Sequence, residues 1–143
     1  MKRNFVKILV ALTCLALLTN VAFSSDKKKG KKNYSAVNYE KLTKLIKDKK
    51  VTLLDCNGAK SFKKGHIPSA IDGTAKDLKS SLPKEKDALI VAYCGSEKCS
   101  AWKSGAKAAK KLGYTNVKCF KGGIKGWMAK GGKLESVAAK TDK

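Results

Sequence analysis

Residues 88–113 read ALIVAYCGSEKCSAWKSGAKAAKKLG, and three signals in succession decide the fold. ALIVAY is the most apolar run after residue 24. Its shortness and its aliphatic and aromatic content are those of a strand buried on both faces. The run ends at Cys94, which opens a loop of Gly95, Ser96, Glu97, Lys98, Cys99 and Ser100. Trp102, Ala106, Ala109 and Leu112 then share one helical face, and Gly113 supplies the stop.

The same alternation continues outward. Residues 51–55 (VTLLD) and 117–120 (VKCF) read as strands, and Ala70 and Ile71 as the start of a short one. Tyr39, Leu42, Leu45 and Ile46 recur at helical spacing behind a cap at Asn38. Residues 62–68 suggest a turn of helix and a loop, 75–82 a helix closed by Pro83, and Gly122-Gly123 a turn into a last short helix around Trp127. Strands separated by helices predict an α/β fold, a parallel sheet with helices on both faces. Ligands of such sheets bind at the carboxyl ends of strands. Asp55-Cys56-Asn57 and Cys94 follow two strand ends, so one crevice is expected to collect them.

A chain of 143 residues with 43% hydrophobic content has room for one domain and one core. Residues 1–24 read as an export signal: Lys2, Arg3 and Lys7 precede an uncharged apolar run that is short for a membrane span, and Ala22-Phe23-Ser24 offers a cleavage site. A periplasmic or secreted location follows. The sequence thus divides into a signal (1–24), a disordered Lys-rich stretch (25–35), one domain (36–135) and a disordered tail (136–143). Cleavage would leave 29 bases against 11 acids, a formal +18, and every one of those bases is lysine. This charge favours anionic partners through a lysine surface. It does not suggest nucleic acid, because no stacking aromatics are interleaved with the lysines.

Cys94 carries the chemistry. A thiol at a strand end, facing the free N–H groups of a loop and a helix start, is expected to ionise near neutral pH, with Lys98 adding charge and Glu97 offsetting it. At 53–71 (LLDCNGAKSFKKGHIPSAI), 90–99 (IVAYCGSEKC) and 108–127 (AAKKLGYTNVKCFKGGIKGW) the sequence resembles the rhodanese homology domain, over nearly all of residues 36–135. The resemblance implies a parallel five-stranded sheet and, by position, Cys94 as the catalytic residue. It also implies sulfur transfer: the thiolate takes sulfur from a donor such as thiosulfate or polysulfide, becomes a persulfide, and passes the sulfur to a thiol acceptor. Neither metal nor organic cofactor is required, and a monomer is expected.

The sequence departs from the family's pattern at the groups that grip oxyanions. Asn57 stands where Asp-x-Arg has its arginine, Ser69 replaces a glycine, and the loop lacks arginine and is about two residues longer than the commonest form. Thiosulfate is therefore expected to be a weak substrate, since lysine lacks the bidentate fork. Ser100 occupies the position where the phosphatases of this fold need arginine, which argues against phosphatase activity.

Cys99 is either a thiol that resolves Cys94 into a disulfide or a small residue packed under the loop. Cys56 is either a relay thiol or packing, with packing favoured, and Cys119 belongs in the core. His66, the only histidine, is expected to support the site structurally, and Asp55 to orient the loop through hydrogen bonds. Two other functions compete with sulfur transfer: a thiol-disulfide protein using Cys94 and Cys99, and a non-catalytic rhodanese-like module that binds a partner or an anion through its lysine-rich face.

Overall fold

The computed structural model describes residues 33–137. The proposed signal at 1–24, most of the Lys-rich stretch, and the tail from 138 lie outside the described residues.

Asn38 caps α1 (Tyr39–Lys47), its side chain accepting from the Lys41 N–H. β1 (Thr52–Asp55), α2 (Ala59–Lys64) and β2 (Ile71–Asp72) follow. The chain then runs through β3 (Ile90–Tyr93), α3 (Trp102–Lys111), β4 (Val117–Phe120) and α4 (Gly123–Ala129). All three strand pairings are parallel, in the order β2-β1-β3-β4. The α/β class with a covered parallel sheet is as expected.

The sheet has four strands where five were expected. Beyond β4 the fifth position shrinks to one bridge, Ala36 with Cys119, flanked by hydrogen bonds from Val37 to the Cys119 carbonyl (2.8 Å) and from Cys119 to the Ser35 carbonyl (3.0 Å). Asn38 turns the chain into α1 at once, so the edge cannot lengthen. Tyr34, expected in the disordered stretch, packs edge-on against Trp102 with ring centroids 5.7 Å apart. At the other end Glu135 pairs with His66, and the Val137 N–H reaches the Lys63 carbonyl at 3.2 Å, so the ordered chain runs past 135. The helix expected over 75–82 is only a 3-10 turn at Leu78–Ser81. Leu78 and Leu82 are its only large apolar residues, and Pro83 bars a further turn.

Side-chain alternation along β1 and β3 sorts the core into two layers. Leu54, Cys56, Ile90, Ala92 and Cys94 face α3 together with Trp102, Ala106 and Ala109. Leu53, Val91 and Tyr93 face the opposite side with Leu42, Phe120 and Trp127. Gly105 lets α3 lie close on the sheet: a Cβ there would overlap the Cys56 sulfur.

Candidate functional site

Strand order sets the place of the site. From β1 the chain steps outward to β2, then crosses back to β3 on the other side. The connections therefore diverge between β1 and β3, the switch point that leaves a crevice at the carboxyl ends of an open parallel sheet. Asp55 pairs with Tyr93 at those ends, and the Cys56 N–H donates to the Tyr93 carbonyl (2.9 Å). Cys56 and Cys94 thus stand side by side, one residue beyond the ladder, on the same face.

The Cys94 sulfur accepts backbone N–H hydrogen bonds from Ser96 and from Trp102, the first residue of α3. The Cys99 sulfur is bonded by the N–H groups of Gly95, Ser96 and Ala101. Ser96 also closes the loop, its carbonyl accepting the Cys99 N–H at 3.0 Å. The two thiols hydrogen-bond each other. Opposite them, Asn57 Oδ1 lies against Gly95, where a Cβ would sit 3.2 Å away.

α4 holds the loop from the other side. The Ile124 N–H donates to the Cys94 carbonyl (2.9 Å) and the Lys125 N–H to the Gly95 carbonyl (3.0 Å). Gly123 makes this approach possible: its φ is +60°, and a Cβ would overlap the Cys94 carbonyl oxygen and stand 2.7 Å from the Ser96 nitrogen. The Gly122-Gly123 pair read in the sequence as a turn is thus a backbone clamp on the cysteine loop.

Protonation differs from expectation. Cys94 is 1% exposed, and its thiol is pushed up, first by burial and next by donating to Cys99, with the Trp102 and Ser96 N–H groups opposing. Cys99 is half-buried and pulled down, first by the Cys94 hydrogen bond and then by the Ala101 N–H. At Cys94 burial outweighs the opposing N–H groups, so of the two thiols Cys99 gives up its proton the more readily. Two interacting thiols titrate as a unit.

The other anticipated residues divide. Asp55 is fully buried: Oδ1 accepts from the Asn57 backbone and side-chain nitrogens (2.8 Å each), and Oδ2 from the Tyr93 hydroxyl (2.8 Å). Asp55 therefore positions Asn57. Tyr93, whose role the sequence did not reveal, completes the chain by accepting the Ile67 N–H (3.0 Å). Cys56 is pushed up to about 12, by burial first and then by Asp55, and packs under Gly105. His66 is buried, bonds the Phe62 carbonyl through Nδ1 (2.8 Å), stacks on the Phe62 ring and faces Glu135. It braces the segment behind Asp55 and does not enter the cysteine loop. Glu97, Lys98 and Ser100 point to solvent, and Cys119 is a buried thiol. Among the described residues, no group of three or more His, Cys, Asp and Glu is arranged to hold a metal.

The comparisons agree with this architecture. The rhodanese-like domain family model matches residues 38–130. The uncharacterized protein YibN of Escherichia coli is 27% identical over 124 residues, 83% of this chain and 84% of YibN. The BH2092 protein of Bacillus halodurans superposes with a TM-score of 0.62 at 25% identity, covering 72% of this chain and 77% of BH2092. A thiosulfate sulfurtransferase from Pseudomonas aeruginosa gives 0.61 at 18% identity, over 72% of this chain and 20% of that one. A parallel sheet of order β2-β1-β3-β4, a cysteine loop at its switch point and the family match together establish that the chain belongs to the rhodanese-like domain family.

Proposed function

We propose that the protein is a sulfurtransferase that takes sulfane sulfur from a small anionic donor onto Cys94 and delivers it to a thiol. The observation that carries the reading is the position of the Cys94 sulfur at the switch point, under the N–H groups of Ser96 and Trp102. Fold neighbours named for sulfur transfer, such as the Pseudomonas aeruginosa enzyme, support it.

The steps follow from the pair. Cys94 passes its proton to Cys99 and attacks the outer sulfur of the donor. The donor's S–S bond breaks, and its remainder, sulfite or a shortened polysulfide, leaves with the bonding electrons. Cys94 then carries a persulfide whose charge the loop N–H groups stabilise, as such groups stabilise other anions formed during reaction. Asn57 beside Gly95 adds a neutral amide where an arginine would grip an oxyanion, so polysulfide is the better donor and thiosulfate the poorer. The apolar run in residues 1–24 leads us to place this chemistry in an exported compartment.

The test supplies the reduced protein with polysulfide or thiosulfate and a small thiol acceptor. Sulfane sulfur should be consumed catalytically, faster from polysulfide, and Cys94→Ser should abolish turnover. Equal turnover by Cys94→Ser would sink the reading.

A further inference from the structure

We propose that the thiol acceptor is built into the chain: Cys99 attacks the Cys94 persulfide, releases hydrosulfide and leaves a Cys94–Cys99 disulfide, which makes the protein a sulfane-sulfur reductase. The inference rests on persulfide formation at Cys94 and adds the fate of the sulfur.

Three observations carry it. Both thiols stand in one short loop whose turn is closed by the Cys99 N–H on the Ser96 carbonyl (3.0 Å), Cys99 packs against the core cluster that contains Cys94, and the two thiols interact. Such closeness suits a disulfide, which needs Cα atoms within about 7 Å. Exposure is unequal: Cys94 is 1% exposed, whereas Cys99 is half-buried at the surface end of the loop. Cys99, held in the same loop, competes with any external thiol at a much higher effective concentration. Finally, the Cys94 carbonyl is fixed by the Ile124 N–H and the Cys99 N–H by the Ser96 carbonyl, which holds both thiols in register through the reaction. The lowered proton affinity of Cys99 supports its role as the attacking thiolate.

The step balances. The Cys99 thiolate forms a bond to Cys94 Sγ, and the bond from Sγ to the outer sulfur breaks. The outer sulfur takes the proton that Cys99 received from Cys94 and departs with the electron pair as hydrosulfide, reduced from the sulfane to the sulfide level. The two cysteines supply both electrons and become a disulfide. A dithiol, small or protein-borne, then restores them by exchange. The reaction upstream must therefore supply polysulfide or another sulfane-sulfur anion, and the reaction downstream must supply dithiol reductant.

The experiment treats fully reduced protein, without oxygen, with stoichiometric polysulfide, then alkylates and maps the cysteines while hydrosulfide is measured. Wild type should show a Cys94–Cys99 disulfide and one more equivalent of hydrosulfide per chain than Cys99→Ser, which should retain the extra sulfur on Cys94. Cys99→Ala serves as a second variant, and in wild type a transient persulfide should decay as hydrosulfide appears. A wild-type persulfide as long-lived as that of Cys99→Ser, with Cys99 alkylated, would overturn the inference and leave sulfur transfer standing. A wild-type disulfide with no persulfide in either variant would mean direct oxidation of the pair and would overturn the route. No sulfur on Cys94 in any form of the protein would remove the transfer reading and this inference with it.

Discussion

Replacing Gly123 by alanine tests whether α4 clamps the cysteine loop. A Cβ there would overlap the Cys94 carbonyl oxygen and meet Ser96 N at 2.7 Å and the Gly95 carbonyl carbon at 2.9 Å, all backbone atoms that cannot rotate away. Ordinary contact begins at 3.4 Å, so α4 and the loop must separate by about 0.7 Å or more. That stretches the Ile124 and Lys125 hydrogen bonds, now 2.9 and 3.0 Å, beyond 3.5 Å and ends them. Losing two such bonds costs about 1 kcal/mol each. Forcing alanine to the φ of +60° adds about 1–2 kcal/mol, so urea unfolding should show a loss of about 3–4 kcal/mol. Displacement of a reacting group by about 1 Å can cost on the order of 100-fold in rate, so sulfur uptake by the folded variant should fall by one to two orders of magnitude. Gly126→Ala is the control, because nothing lies within 4 Å of its Cβ position in the same helix. It should be neutral or gain up to about 1 kcal/mol. If Gly123→Ala stayed within about 0.5 kcal/mol of wild type and took up sulfur at the normal rate, the clamp would be refuted.

Tyr93→Phe should destabilise the fold by about 3 kcal/mol, because Asp55 Oδ2 and the Ile67 N–H would both lose their partner inside the protein; thermal unfolding indistinguishable from wild type would contradict this. Cys56 governs part of the alkaline behaviour. Its folded value of about 12 exceeds the ordinary 9.0, so its contribution is complete below pH 9 and declines as the unfolded chain ionises between pH 9 and 12. Over that window Cys56→Ala should flatten the fall of unfolding free energy by about 1.4 kcal/mol per pH unit, and an unchanged slope in urea titrations would count against burial as the cause.

Much of the fold was legible because local signals agreed with one another. The apolar run before Cys94, the Trp102-to-Leu112 stripe and Gly113 each pointed to the β/α unit that forms, and Asn38 caps the helix expected of it. The fifth strand failed because its length depends on where the chain leaves the edge, a tertiary matter that Ala36 alone decides. Ser69 shows a different limit: its φ of +65° is one that glycine adopts without strain, but the strained conformation is visible only in three dimensions.

At the site, the Cys94 loop and the orienting role of Asp55 could be read directly, since strand ends and helix starts have known unpaired N–H groups. The order of the two thiols' acidities could not. It depends on Cys94 being enclosed while Cys99 remains near the surface, and no spacing of two cysteines reports that difference. Tyr93 and Gly123 escaped for the same reason: each acts through a partner distant in sequence, Asp55 and Ile67 for one, the Cys94 carbonyl for the other.

The central claim is that the buried cysteine, not the half-buried and more acidic one beside it, receives the sulfur. Comparing Cys94→Ser with Cys99→Ser under limiting polysulfide, by mapping where the added sulfur sits, tests this most directly. The account predicts uptake in Cys99→Ser, confined to Cys94, and none in Cys94→Ser. Equally fast uptake on Cys99 in the Cys94→Ser protein would contradict it.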